Sequence, residues 1–103
     1  MSIFIDIVCY DSNGPDGGNI QRLTKGDLVQ LAERQPKYKV LESDGTTSIR
    51  LSGVHVQVVL QPRGMLSCQL DHQTDTAALL DALRDLASHL LGAVVQDEEG
   101  EIY

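Results

Sequence analysis

The sequence predicts one α+β domain, with two helices on one face of a mostly antiparallel sheet of five or six strands. The length of 103 residues is typical of a single domain, and 42% of the residues are hydrophobic, enough to build a core. Six short apolar segments bounded by turn residues indicate strands, and two longer ones with helical spacing indicate helices. Because Trp is absent and aromatic residues make up only 4%, the core should be aliphatic. The predicted order is β-α-β-β-β-β-α-β.

The first predicted strand runs from Ile3 to Tyr10 and is apolar on both faces, which is typical of a central strand. The exception is Asp6, which lies between two isoleucines. An isolated buried carboxylate is costly, so Asp6 should lie at a strand edge or pair with Lys39 or Arg50. The alternative is that Asp6 acts as a general acid or base.

Residues 11–21 are rich in glycine and contain a proline, which predicts a long loop. The loop has neither the Gly-Lys-Ser/Thr ending of a phosphate-binding loop nor the carboxylate spacing of a calcium loop. We interpret it as a mobile loop or as one that contacts a partner. Its two acids, Asp11 and Asp16, form a second group of candidate binding residues.

The first helix is predicted over residues 24–35. Thr24 is a good N-cap, and Asp27 stands three residues later, where the acid of a capping box belongs. Pro36 should end the helix.

Four strand segments follow in succession, separated by short turns that contain Gly or Pro. Short turns between strands of this kind favour an antiparallel meander with one covered face. The predicted strands are Lys37–Glu42, Thr46–Leu51, Val54–Gln61 and Met65–Leu70.

The second helix is predicted from Asp75 to Leu91, because its leucines fall within about 140° of arc on a helical wheel. Gly92 stands where a left-handed residue commonly ends a helix. A short strand, Ala93–Gln96, follows, and the last residues are predicted to form a small hairpin about Gly100.

The net charge is concentrated in the last third of the chain. Residues 71–103 hold eight of the fifteen acidic residues but only one of the eight basic ones, Arg84, and the rest of the chain is neutral. Such a field repels nucleic acid and anionic membranes and attracts basic proteins. It is either a solvated face that maintains solubility or a binding surface. The candidate partner-binding residues here are Asp81, Asp85, Asp97, Glu98, Glu99 and Glu101.

No cofactor, metal site or catalytic motif is predicted. Cys9 and Cys68 lie in apolar segments and are interpreted as buried hydrophobic residues in a reducing compartment. The histidines, His55, His72 and His89, lack the spacing of a zinc site. There is neither a signal-peptide pattern nor an apolar run long enough to cross a membrane, so the expected location is the cytoplasm.

The chain resembles the small acidic immunity proteins of bacterial contact-dependent and polymorphic toxin systems. The resemblance lies in the size, in the strand Ile3–Tyr10 that leads into a loop, and in the acidic ending from Leu90 to Tyr103. It implies a cytosolic protein that binds a cognate toxin domain, commonly a basic nuclease, and blocks its active site. The resemblance assigns no role to individual residues.

The sequence therefore predicts a non-enzymatic domain, monomer or homodimer, that inhibits a basic protein. Two alternatives stay open. One is a homo-oligomeric accessory subunit that pairs through a sheet edge or an uncovered sheet face. The other is a small enzyme that uses Asp6 with His55 or His72.

Overall fold

The computed structural model describes residues 3–11, 19–51, 57–70, 76–97, 99 and 101–103. Within them it confirms the α+β class, the two helices and an open sheet whose paired strands are all antiparallel. The elements are β1 (Ile3–Tyr10), β2 (Ile20–Gln21), α1 (Lys25–Arg34), β3 (Lys39–Ser43), β4 (Thr46–Arg50), β5 (Gln57–Leu60), β6 (Leu66–Leu70), α2 (Thr76–Ser88) and β7 (Ala93–Asp97).

Strand β1 lies in the interior of the sheet, as its two apolar faces predict. Ile5 pairs with Cys68 of β6 on one edge and with Asp97 of β7 on the other. Beyond β6 the sheet continues through β5 and β4 to β3. Strand β1 is therefore hydrogen-bonded on both sides.

The described sheet has seven strands, against the five or six predicted, because the two-residue strand β2 lies inside the predicted loop. The pairing of β6 with β1 stops at Ile7, which leaves the edge of Cys9 and Tyr10 open for β2. The backbone N–H of Asp11 also donates to the carbonyl of Asn19 (3.0 Å). The rest of that loop, residues 12–18, lies outside the described residues.

Helix α1 begins as the sequence predicts. The Thr24 side chain accepts the N–H of Asp27, and the Asp27 carboxylate accepts the N–H of Thr24 (2.9 Å), which completes the capping box. After the helix, the N–H of Tyr38 donates to the carbonyl of Gln35 (3.1 Å). This turn explains why β3 begins at Lys39, two residues later than predicted.

Helix α2 ends at Ser88, three residues earlier than predicted. His89 and Leu90 each donate a backbone N–H to the carbonyl three residues before it (3.1 and 3.0 Å), which tightens the last turn. Gly92 then has the expected positive φ, 72°. The predicted start at Asp75 lies outside the described residues, as does the predicted start of β5 at Val54.

One buried cluster forms the core, with side chains from both helices and from six of the seven strands or their flanking residues. It is aliphatic apart from Tyr38 and Cys68. Cys9 and Cys68 are both buried and neither forms a disulfide, and burial raises the pKa of the Cys9 thiol. No helix in the described part of the chain has the length and apolar character needed to cross a bilayer.

Gly92 fixes the approach of the α2–β7 connection to β1. Its carbonyl accepts the N–H of Tyr10 (2.9 Å), and a Cβ at Gly92 would lie 2.2 Å from the carbonyl oxygen of Tyr10. We predict that Gly92→Ala lowers the free energy of unfolding by about 3 kcal/mol, since backbone strain and a clash with main chain act together. The control is Gly45→Ala, because Gly45 has a similar positive φ of 79° but nothing lies within 4 Å of the added Cβ, so this variant suffers the backbone strain without the clash. Urea unfolding that gives equal losses for the two variants contradicts the packing argument.

Candidate functional site

The last residues of the chain pair with the outer edge of β7. The N–H of Asp97 donates to the carbonyl of Glu101 (3.0 Å), and the N–H of Tyr103 donates to the carbonyl of Val95 (2.8 Å). Gln96 and Ile102 form the antiparallel bridge between these two bonds. We call residues 95–97, 99 and 101–103 the acidic hairpin.

The carboxylate of Asp97 holds this hairpin together. Its Oδ1 accepts the backbone N–H groups of Glu99 and Glu101, both at 2.9 Å. Its Oδ2 accepts the hydroxyl of Tyr103 at 3.0 Å. A charged acceptor makes such bonds stronger than neutral ones. Asp97 is thus a positioning residue, and the exposed side chains of Glu99 and Glu101 are the carboxylates that the hairpin presents.

The pKa of the Tyr103 phenol depends on this hydrogen-bonded arrangement. The hydrogen bond to Asp97 is the main reason that the pKa of Tyr103 is raised above its usual value, and the charges of Asp97, Glu101 and Glu99 add to it. Ionising the phenol would remove the donor and place a further negative charge among three carboxylates.

Asp85 on α2 belongs to a different cluster. Its Oδ2 lies 2.5 Å from Nζ of Lys37 and also accepts the hydroxyl of Tyr38. The bond to Lys37 is the main cause, followed by the bond to Tyr38, of the lowered pKa of Asp85. Burial, followed by the hydrogen bond to Asp85, raises the pKa of Tyr38. His89 contacts the edge of the Tyr38 ring, with centroids 6.2 Å apart.

Asp81, also on α2, lies 3.4 Å from Nη1 of Arg84 in an exposed i,i+3 pair. The two predicted binding residues on this helix therefore each have a basic neighbour, Lys37 for Asp85 and Arg84 for Asp81. Local cations offset part of the acidic charge on α2.

Asp11, the loop acid among the described residues, lies near the start of β7. It follows Tyr10, which bonds to Gly92, whereas Asp97 stands at the other end of β7, about 13 Å away along that strand. Oδ2 of Asp11 accepts the N–H of Asn19 (3.1 Å). Asp16 and Glu98 lie outside the described residues.

A groove of about 240 Å³ is lined by residues of α2, of β7 and of the hairpin. Its lining residues are Arg84, Ala87, Ser88, Ala93, Val94, Val95, Ile102 and Tyr103.

Asp6 has a different partner from those predicted. The Ser67 hydroxyl on the neighbouring strand β6 donates to Oδ1 of Asp6 at 2.5 Å, and Asp6 is half-buried. The predicted partners, Lys39 and Arg50, lie on β3 and β4 at the opposite side of the sheet. His55 and His72 lie outside the described residues. The described residues contain no group of three or more His, Cys, Asp and Glu side chains able to hold a metal.

Sequence reasoning overlooked three residues of these clusters. A hairpin was predicted about Gly100, which itself lies outside the described residues, but the bond from Tyr103 to Asp97, six residues earlier, was not. Lys37 and Tyr38 were assigned to a strand, and their contact with Asp85 bridges 47 or more residues of sequence. No signal in the chain indicates that pairing.

No protein-family model, curated protein sequence or solved structure matches this chain.

Removing the Asp97 carboxylate should release the hairpin. We predict that Asp97→Ala lowers the pKa of Tyr103 toward its ordinary value and speeds hydrogen exchange at the amides of Glu99 and Glu101, because all three lose their acceptor. NMR-monitored pH titration and hydrogen exchange measure both effects. Glu99→Gln is the control, since it removes one nearby charge and leaves the bonds to Asp97. An unchanged Tyr103 titration in Asp97→Ala contradicts the assignment.

The cluster around Asp85 should make stability depend on acid pH. Because the folded-state pKa of Asp85 is lowered, its contribution is present above the unfolded value of about 3.9 and is lost as the pH falls through the folded value. We predict that Asp85→Asn lowers stability at pH 7 by no more than about 1 kcal/mol, since the pair is half-exposed, and that this difference disappears at low pH. Urea unfolding across pH measures it. Asp81→Asn is the control and should change stability by less than about 0.5 kcal/mol.

Proposed function

We propose that this chain is an acidic protein-binding domain that inhibits a basic partner, and that the partner is a cognate toxin domain of the nuclease type. One observation carries the proposal: Asp97 fixes a hairpin that presents the exposed carboxylates of Glu99 and Glu101 in a defined position. A surface that only maintains solubility does not need its carboxylates held in fixed positions. A binding surface gains affinity when they are fixed, because pre-ordering reduces the entropy lost on association.

The charge of the hairpin supports the same partner class. Nucleases hold phosphates with Lys and Arg, and carboxylates of a second protein occupy such a groove by the same charge complementarity. On α2 the acids already have local cations, whereas no ion pair to Glu99 or Glu101 is found among the described residues. The hairpin is therefore the part of the acidic surface that has most to gain from an external Arg or Lys.

The proposal places the protein in the cytoplasm, where its two buried cysteines, which form no disulfide, stay reduced. It also takes both helices to cover one face of the sheet, since their buried side chains belong to a single cluster. The other face carries Val8, Ser48 and Ser67, which are buried, as well as the exposed Phe4 and Leu41, and is called the second face below.

The test is capture of partners from the source cells, identified by mass spectrometry, at low and at about 1 M salt. We predict that a basic nuclease-like domain is captured at low salt and that Glu99→Lys with Glu101→Lys weakens its binding at least tenfold, about 1.4 kcal/mol or more. The matched control is Glu33→Lys with Glu42→Lys, which changes the net charge equally at exposed positions on α1 and β3. Equal effects of the two pairs, or capture that salt does not weaken, contradict the proposal.

A homo-oligomeric subunit is the second candidate, because the second face carries two exposed apolar side chains. By the sheet register Phe4 and Leu41 lie on that face, exposed by 38% and 36%. A homo-oligomer formed there would bury both. Sedimentation velocity separates the two candidates. If the protein is a homo-oligomer formed through this face, the double variant Phe4→Ser with Leu41→Ser sediments with a lower mass than the unchanged protein; if it is a monomer, the mass stays the same.

A further inference from the structure

Strand β3 is the exposed end of the described sheet. It pairs with β4 on one side, and the order of the strands ends with it. Four of its five residues are exposed, and Val40 is half-buried. Residues of α1 and β3, among them Val40 and the exposed Val29 (38%), line a depression of about 410 Å³, so apolar surface adjoins this edge. Exposed edges of this kind pair with another strand unless the protein blocks them.

The alternation of hydrogen bonds shows which groups of β3 point outward. The N–H of Gln61 donates to the carbonyl of Met65 (2.8 Å), so Gln61 bonds toward β6. Because the bonded edge alternates along a strand, Val58, three residues earlier, bonds toward β4 and its register partner Ile49. Ile49 therefore bonds toward β5, and its neighbour on β3, Val40, points its N–H and C=O to the outer edge.

The turn between β3 and β4 gives the same result for Glu42. Asp44 and Gly45 both have a positive φ, 52° and 79°, as in the type I′ turn of a two-residue hairpin. Such a turn is closed by a bond between its flanking residues, Ser43 and Thr46, so Glu42, one residue earlier, points outward. Among the described residues, no hydrogen-bond partner is found for these outward-pointing backbone groups of β3.

Strand β3 has opposite charges at its two ends. Lys39 lies directly opposite Arg50 of β4, and both residues are exposed. Like charges in this arrangement repel each other, and no ion pair to either one is found in the described part of the chain. Asp44, which is also exposed, lies at the other end of the strand. A second copy of β3 that runs antiparallel brings the acidic end of each strand to the basic end of the other.

The register of such a pair follows from the outward groups. A pair centred on Glu42 sets two Glu42 carboxylates against each other. A pair centred on Val40 places Glu42 opposite Tyr38, whose N–H already donates to the carbonyl of Gln35 (3.1 Å). A pair centred on Leu41 avoids both problems, because Val40 of each copy then exchanges both backbone bonds with Glu42 of the other.

We propose that this chain forms a two-fold symmetric dimer in which β3 pairs antiparallel with β3 of a second copy, centred on Leu41. The two Leu41 side chains, each 36% exposed in the single chain, then lie at a close, non-hydrogen-bonded position and cover each other. Asp44 of each copy lies near Lys39 of the other, which supplies the acidic neighbour that Lys39 and Arg50 lack within the described chain.

The dimer leaves the acidic hairpin free. Strand β7 lies beyond β1, about 24 Å from β3 at the usual spacing of strands. This distance exceeds the Debye length of about 8 Å in physiological salt, so the acidic parts of the two copies repel each other little. The dimer goes beyond the proposed function and does not depend on it, so finding a monomer overturns the dimer and leaves the proposal for the hairpin standing.

The first experiment is sedimentation velocity of the full chain over a range of concentrations, with Leu41→Lys as the variant. We predict a dimer for the unchanged protein and at least tenfold weaker association for Leu41→Lys, because two lysines would face each other at the centre of the pair. Phe4→Lys is the matched control, since Phe4 is similarly exposed on the second face but lies on β1, away from the edge. A monomer at every concentration overturns the proposal. Equal weakening by the two variants also overturns it and assigns association to the second face.

The second experiment tests the register by cross-linking. At the centre of the pair the two Cβ atoms of residue 41 lie within about 5 Å, so Leu41→Cys should form a disulfide-linked dimer when oxidised glutathione accepts the two electrons. Ser43→Cys is the control and should not cross-link, because the two copies of that position lie on opposite sides of the centre. Non-reducing electrophoresis measures the product. No cross-link at position 41, or equal cross-linking at both positions, overturns the proposed pairing.

Hydrogen exchange of the unchanged protein gives a readout that needs no variant. We predict that the amides of Val40 and Glu42 exchange more slowly at concentrations where the dimer dominates, because each gains a carbonyl acceptor. The amide of Leu41 is the internal control, since it already bonds to β4 and its rate should change less. Exchange at Val40 and Glu42 that does not depend on concentration overturns the strand pairing.

Discussion

The pairing of β1 on both edges is the constraint on which the rest of the molecule depends. A strand in this position must be apolar on both faces, and Ile5, Ile7 and Val8 are almost completely buried. The same strand positions the candidate site. Its pairing with β7 places the end of the chain beside α2, and the contact between Tyr10 and Gly92 sets where β7 begins. The acidic hairpin is therefore attached directly to the centre of the sheet.

The acidic charge is divided by the fold into parts with different roles. Asp85 and Asp81 have basic neighbours on or beside α2, so their charges are partly compensated within the domain. Asp97 uses its charge to bond the backbone of the hairpin and the phenol of Tyr103. This division leaves the exposed carboxylates of Glu99 and Glu101 at one end of β7, next to the groove. Net charge alone describes the chain poorly, because its carboxylates differ in whether they form an ion pair, accept backbone N–H groups or stay exposed to solvent.

Local patterns predicted most of the fold. Capping chemistry defined the start of α1, turn residues separated β3 from β4, and Gly92 marked the end of the α2 connection, because in each case the cause lies within a few residues. Features that depend on distant contacts were not predictable. The short strand β2 exists because β6 leaves the edge of Tyr10 open, and Asp6 bonds Ser67, 61 residues away. The same distinction applies to the candidate site. Its acidic residues were predicted from the distribution of charge along the sequence. The role of Asp97 as an acceptor and the groove beside it depend on the pairing of β7 with β1, which the sequence does not show.

Hydrogen–deuterium exchange of the domain, alone and bound to the partner captured from its source cells, tests the central claim most directly. The account predicts that protection on binding is concentrated in β7 and the acidic hairpin, with the exposed residues of β3 and β4 unchanged. Protection confined to β3, β4 and β5, with β7 and the hairpin exchanging as in the free domain, would contradict it and assign binding to the opposite side of the sheet.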